Sequence, residues 1–117
     1  MRFLYLLRRP PYCGSLAAEA IDSILVAGIF DQRVSVLFKD DGVLQLLKDQ
    51  QGQLLGHRSV NKMLAALPEY EIEELFVCAR SLAERALSLD QLSLPVQVLD
   101  EVGQQTLIAA QNVVMND

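Results

Sequence analysis

Short apolar segments alternate with amphipathic segments along the whole chain. Residues 2–8 and 33–38 are mostly apolar, are bounded by turn residues, and are typical of buried strands. Further strands are predicted at 71–77, 95–99 and 112–115, and Cys78 closes the first of these three. The pattern thus predicts five strands, each short enough to cross one sheet.

Helical spacing marks the segments between these strands. Apolar residues recur at helical intervals between Ala17 and Gly28, and Ser15 is the candidate N-cap of that helix. The other helical segments are a short run at 43–47, a helix after Ser59 that ends at Pro68, a helix from 79 to about 87, and a helix over 101–110 capped by Asp100.

This order of elements predicts an α/β fold with a single domain over residues 1–117. Strands that are separated by helical crossovers run parallel, and the crossovers are right-handed. We therefore expect a mostly parallel five-stranded sheet with helices on both faces, in flavodoxin-like layers. With 117 residues the chain is long enough to bury one core without disulfides or metals.

Composition and charge narrow the classes of function. The hydrophobic content of 51% predicts strands that are buried on both faces, or an apolar face reserved for a partner subunit. A net charge of −5 argues against a surface that grips nucleic acid. No apolar stretch approaches the ~18 residues of a membrane span. Arg8 and Arg9 follow the apolar start instead of preceding it, which is the wrong order for a secretory signal, so a cytoplasmic location is expected.

Cys78 is the candidate for chemistry because it lies where a buried strand meets a helix. A thiol at the N-terminus of a helix faces the positive end of the helix dipole, which favours the nucleophilic thiolate. The same edge of an open α/β sheet is where ligands collect. Free cysteines are also among the most buried residue types and most are inert, so the sequence leaves open whether Cys78 works or packs.

Other chemistries lack the residues that they need. Two cysteines are too few for a disulfide framework, and Cys13 is interpreted as a spectator thiol in a turn. His57 has no second ligand, so no metal site is predicted. The glycine-rich nucleotide loops are absent. A cysteine phosphatase loop would need arginine at position 84, where Glu84 would repel phosphate.

Three segments, in order and spacing, carry a family resemblance. They are residues 11–15 (PYCGS) before the first helix, 41–47 (DGVLQLL) after the second strand, and 77–85 (VCARSLAER) around Cys78. They are similar to motifs of the DsrE/DsrF-like sulfur-relay family, in its TusC (DsrF-like) branch. Ala86 stands where that family usually has glycine, and this departure affects only the helix C-cap, where glycine usually supports left-handed backbone.

The resemblance implies a DsrE-like fold and a largely structural subunit, non-catalytic or weakly active, of a sulfurtransferase complex. That complex would pass persulfide sulfur between proteins in support of 2-thiolation of the wobble uridine of tRNA. The implied partners are TusB- and TusD-like paralogues in a heterohexamer, sulfur-carrier proteins that act through the complex, or copies of the chain itself when it is isolated. No cofactor, nucleic acid or membrane is implied as a direct partner.

The resemblance also places Cys78 at the position of the family's transferring cysteine, as a candidate persulfide carrier. Three alternatives stay open. The protein is a direct sulfurtransferase that uses Cys78 as the nucleophile, a DsrF-like subunit of a sulfur-oxidation complex, or an unrelated α/β module that binds a ligand at the carboxyl edge of its sheet.

Overall fold

Five parallel strands form one sheet in the order β4-β3-β2-β1-β5. The computed structural model describes residues 1–11, 16–30, 33–48 and 60–116. The strands are β1 (Arg2–Leu7), β2 (Arg33–Phe38), β3 (Glu74–Cys78), β4 (Gln97–Leu99) and β5 (Val113–Asn116). The helices are α1 (Leu16–Ile29), α2 (Val60–Ala65), α3 (Ala79–Glu84) and α4 (Glu101–Ala109). The predicted α/β class, with a five-stranded parallel sheet, is confirmed.

The direction of each crossover decides which helices share a face of the sheet. The chain steps from β1 through β2 and β3 to β4 in one direction and then returns across the sheet to β5. Since such crossovers are right-handed, the return places α4 on the face opposite α1, α2 and α3. The face with three helices is called the first face below, and the face with α4 is called the second face.

The two faces bury different amounts of apolar surface. The first face holds the main core, in which strand residues such as Val36 and Phe38 pack against Ile24 of α1 and Leu64 of α2. The second face holds a small cluster, and its members are Leu4, Leu6 and Leu37, with Phe76 and Leu107 packed against them. Alternation along the strands produces both clusters, because successive side chains point to opposite faces.

Strand β3 begins three residues later than the sequence predicts. Residues 68–70 form a 3₁₀ turn, and Glu71 ends it with a left-handed φ of 61°. The Ile72 amide then donates to the Leu67 carbonyl at 3.0 Å instead of to a neighbouring strand. Ile72 is buried in the main core, so its apolar character reflects packing of the turn and not strand pairing. Strand β4 is likewise shorter than the predicted 95–99.

Two helical segments also differ from expectation. The run predicted at 43–47 is a 3₁₀ helix over Asp40–Leu46. At Gly42 a Cβ would lie 1.7 Å from the Leu7 carbonyl oxygen, so only glycine fits where this segment crosses the end of β1. Helix α3 stops at Glu84 instead of near 87, because Ala86 adopts a φ of 52°. This is the left-handed conformation that the family's glycine supports.

Some predicted features lie outside the described residues, namely the candidate N-caps Ser15 and Ser59. Within the part of the chain that is described, no helix combines the length and the apolarity needed to cross a bilayer.

Candidate functional site

Cys78 is the last residue of β3 and the N-cap of α3. Its side chain is 4% exposed, yet it lies at the carboxyl edge of the sheet and lines a cavity of about 290 Å³. By strand alternation the Cys78 side chain points, like that of Phe76, to the second face. The thiol is therefore buried at the rim of the sheet, beside space that a small group can enter.

Ser81 lies one turn after Cys78 on the same cavity wall and is 4% exposed. Its hydroxyl oxygen accepts a hydrogen bond of 2.8 Å from the backbone amide of Asp40. A hydroxyl has one proton to donate, and that proton is left for the sulfur. The 3₁₀ helix that follows β2 thus orients Ser81 toward the thiol.

Gln104 reaches the same cavity from α4, on the far side of the thiol. Its side chain is 6% exposed, and its Nε2 donates to the Leu99 carbonyl at 3.1 Å. Leu99 is the register partner of Cys78 in the β3–β4 pair, so this hydrogen bond holds the Gln104 amide beside Cys78. The second N–H of that amide is available to the sulfur.

Arg85 fixes the Ser81 side of the cavity. Its Nη2 donates to Asp41 Oδ1 at 2.8 Å, and its Nη1 donates to the Ser81 carbonyl at 3.1 Å. The guanidinium therefore joins the 3₁₀ helix after β2 to α3, and keeps the Asp40 amide opposite the Ser81 hydroxyl.

The surroundings of the sulfur favour its negative form. Burial by itself raises the pKa of the Cys78 thiol, but hydrogen bonding from Ser81 and from the Gln104 side chain outweighs burial, and the net pKa is lowered. The amides of Arg80 and Ser81 face the sulfur too loosely to form a capping bond, yet they add to the lowering. Neutral dipoles, not a counter-ion, thus stabilise the thiolate.

The charged residues near Cys78 in sequence act less directly than the sequence suggests. The Arg80 side chain is 85% exposed and pairs with Glu84 at 2.8 Å, so it does not turn inward to the thiol. Glu74 pairs with Arg33 at the opposite end of β3. Lys39 and Glu101 line the cavity, which therefore has side chains of both signs at its walls.

The sequence identified Cys78 and its place at the strand–helix junction, but not the groups that act on its sulfur. Ser81 had a local signal, because it occupies the third position of the helix that Cys78 caps. Gln104 had none, since only the sheet order brings it to Cys78. Cys13 and His57, the other candidates weighed, lie outside the described residues.

Comparison with known proteins identifies a family and several similar proteins. A family model described as the DsrE/DsrF-like family matches residues 1–116. A protein of Pseudomonas aeruginosa named Protein TusC homolog is 40% identical over 105 residues, which are 90% of this chain and 88% of that protein. The Intracellular sulfur oxidation protein DsrF of Allochromatium vinosum is 38% identical over 91 residues, covering 78% of this chain and 67% of that protein.

Solved structures repeat the fold at low sequence identity. The ychN protein from E. coli superimposes with a TM-score of 0.86 at 14% identity, covering 100% of this chain and 99% of that one. A protein of unknown function from Methanobacterium thermoautotrophicum gives a TM-score of 0.71 at 16% identity, with 99% and 98% covered. These structures support the fold, and the sequence matches over most of the chain show that the protein belongs to the DsrE/DsrF-like family.

Proposed function

We propose that the protein is a TusC-type subunit of a sulfur-relay complex, chiefly structural, in which Cys78 carries persulfide sulfur. The observation that carries the proposal is a thiol of lowered pKa on the wall of a cavity, in a chain that is 40% identical to a protein named Protein TusC homolog. The pathway that we propose for it is 2-thiolation of the wobble uridine of tRNA, in the cytoplasm.

The proposed chemistry needs only a thiolate and a place for one extra sulfur atom. The Cys78 thiolate attacks the outer sulfur of a donor persulfide, a bond forms between Sγ and that sulfur, and the S–S bond of the donor breaks. The donor leaves as a thiolate, and Cys78 holds the persulfide with no net oxidation. An acceptor thiolate then attacks the same outer sulfur, and Cys78 leaves as a thiolate. A lowered pKa makes Cys78 the better leaving group in this second step.

The proposed partners are TusB- and TusD-like paralogues in a heterohexamer, with sulfur-carrier proteins reached through the complex. Exposed apolar side chains at both edges of the sheet support contacts with partner subunits. Val98 and Val102 lie on β4 and α4, while Val114 and Met115 lie on the edge strand β5. Such side chains are covered at little cost when subunits associate.

A second candidate function is favoured by the likeness to DsrF of Allochromatium vinosum, which is named an intracellular sulfur oxidation protein. In that case the same thiol and the same kind of complex would serve sulfur oxidation. The two functions differ in the final acceptor and not in the chemistry at Cys78. Deleting the gene in its host separates them, since loss of thiolated tRNA supports the first function and loss of sulfur oxidation supports the second.

The test of carriage is incubation of the protein with a persulfide donor, followed by intact-mass spectrometry. One added sulfur atom, about 32 Da, is expected on the wild-type chain and not on Cys78→Ser. Cys13→Ser is the matched control and should keep the adduct. No adduct on the wild type, in a complex that still relays sulfur, would leave only the structural role. Transfer to an acceptor by the isolated chain would instead make it a direct sulfurtransferase.

Co-expression with similar short proteins tests the complex itself. The expected result is co-purification with two paralogous partners. A chain that remains a monomer and captures neither paralogue contradicts the role of a complex subunit.

A further inference from the structure

We propose that Gln104 is a positioning residue for the Cys78 sulfur, a role that rests on the proposed function of Cys78. Its side-chain amide orients the sulfur toward the cavity and stabilises the thiolate, which is the form that exchanges a sulfur atom. The role is assigned from the placement of Gln104 and from the way its amide is fixed.

The fold places Gln104 beside Cys78. Gln104 lies on α4, 26 positions after Cys78, and the two residues line one cavity. Its neighbour Gln105 is exposed on the same helix, so burial singles out Gln104. Buried amides are hydrogen-bonded in stable proteins, and the Leu99 carbonyl uses one N–H of this amide, which leaves the other for a group in the cavity.

The side-chain amide of Gln104 is held rigidly. The hydrogen bond from Nε2 to the Leu99 carbonyl fixes one N–H of the amide, and the planar group then fixes the direction of the other. The helix itself is held by its N-cap, where Asp100 Oδ1 accepts from the Gly103 amide at 2.7 Å. A donor that is fixed in advance stabilises an anion without the cost of ordering it.

The amide of Gln104 also has the right chemistry for this role. An amide N–H adds no formal charge, so it stabilises the thiolate while leaving its negative charge available for attack. It also suits a persulfide, whose negative outer sulfur lies one bond further into the cavity. The lowered pKa of Cys78, to which Gln104 contributes, agrees with this role.

The test measures the titration of Cys78 in three variants, all in a Cys13→Ser background. The readouts are the pH dependence of alkylation by iodoacetamide and the ultraviolet absorbance of the thiolate, which needs no reagent access. Gln104→Leu should lower the alkylation rate at neutral pH about fivefold, because an interaction with the charged form is lost. Gln104→Glu should lower the rate further, because a carboxylate opposes a thiolate. Gln105→Leu is the matched control and should behave like the wild type.

The outcomes separate this inference from the proposed function. An unchanged titration in a folded Gln104→Leu variant, with circular dichroism like that of the wild type, would overturn the positioning role and leave sulfur carriage standing. If Gln104→Leu shifts the titration of Cys78, while Cys78 of the wild-type protein takes up no sulfur, positioning is supported and carriage is overturned. If Gln104→Leu fails to fold, the uncharged Gln104→Met variant, whose side chain has a similar length, decides by the same readouts.

Discussion

The two ends of strand β3 each hold an acidic group on the second face, and the two groups are stabilised by different means. At the amino end, Glu74 accepts hydrogen bonds from Arg33 at 3.0 and 2.8 Å. At the carboxyl end, Cys78 faces the neutral groups of Ser81 and Gln104. Both pKa values are lowered, that of Glu74 chiefly by Arg33 and that of Cys78 by neutral dipoles that outweigh burial.

The two means of stabilisation suit two different roles, one structural and one reactive. A carboxylate that is paired with a guanidinium has its charge neutralised, and its main effect is to join β2 to β3. The Cys78 thiol has a lowered pKa without an ion pair to another strand in the described part of the chain, and it lies on the wall of a cavity that a reactant can enter. The same strand thus ends in a structural pair on one side and in a candidate reactive group on the other.

The largest expected effect comes from the 3₁₀ helix Asp40–Leu46, which lies at the carboxyl end of the sheet. In Gly42→Ala the new methyl group would meet the Leu7 carbonyl oxygen at 1.7 Å. We expect a loss of about 3 kcal/mol or more in the free energy of unfolding, measured by urea denaturation. Gly103→Ala is the control, since its closest contact is 3.2 Å, and it should change stability by less than about 1 kcal/mol. Equal stability of the two variants would contradict this account of Gly42.

The second largest effect is expected when one neutral donor to the Cys78 sulfur is removed. Ser81→Ala should raise the pKa of Cys78, because a hydrogen bond to the charged form is lost. The alkylation rate at neutral pH should fall about tenfold. Ser93→Ala, at an exposed serine, should leave the rate unchanged. A rate for Ser81→Ala equal to that of the wild type would mean that the hydroxyl serves only the Asp40 amide.

The amino end should respond to pH and not to thiol reagents. The pKa of Glu74 is lowered in the folded state, so its ion pair stabilises the fold above the ordinary glutamate value of 4.5, and the contribution is lost as pH falls below it. Glu74→Gln should cost no more than about 1 kcal/mol at neutral pH, because the pair is partly exposed, and less in acid.

Denaturation of the Glu74→Gln variant and the wild type at several pH values measures this effect. Glu73→Gln, an exposed neighbour, is the control and should show a smaller pH-dependent difference. A cost for Glu74→Gln that grows as the pH falls would reverse the assignment.

The smallest effect concerns salt. Raising the ionic strength from about 0.05 to about 0.5 M should weaken the Arg33–Glu74 pair, because screening acts on exposed charges. The reaction of Cys78 with neutral iodoacetamide should change less than about twofold, since its nearest stabilising groups carry no charge. A strong salt dependence of that rate would indicate a charged partner for the sulfur.

The sequence predicted the elements well because the apolar pattern of this chain is strong. Buried strands such as β2 read as continuous apolar runs, and Asp100 caps α4 as predicted. The start of β3 was wrong because Ile72 is buried for a reason other than strand pairing. Apolar pattern reports burial, and it does not distinguish a strand from a packed turn.

The sequence did not predict the groups around Cys78, because the local apolar pattern does not specify the order of the strands in the sheet. The order β4-β3-β2-β1-β5 decides that α4 crosses the second face and brings Gln104 to the thiol. The hydroxyl of Ser81 is oriented by the Asp40 amide, which a left-handed φ of 52° at Asp40 accompanies. Both contacts depend on tertiary geometry, while the thiol itself was visible as a residue at a strand–helix junction.

The pairing of β5 with β1 has a consequence for folding during translation. The Arg2 amide donates to Asn112 Oδ1 at 2.8 Å across 110 positions of sequence. While the chain is still on the ribosome, β1 therefore lacks its neighbour until the last strand has been made. Contacts of such long range form late, so one edge of β1 stays without a neighbouring strand through most of translation.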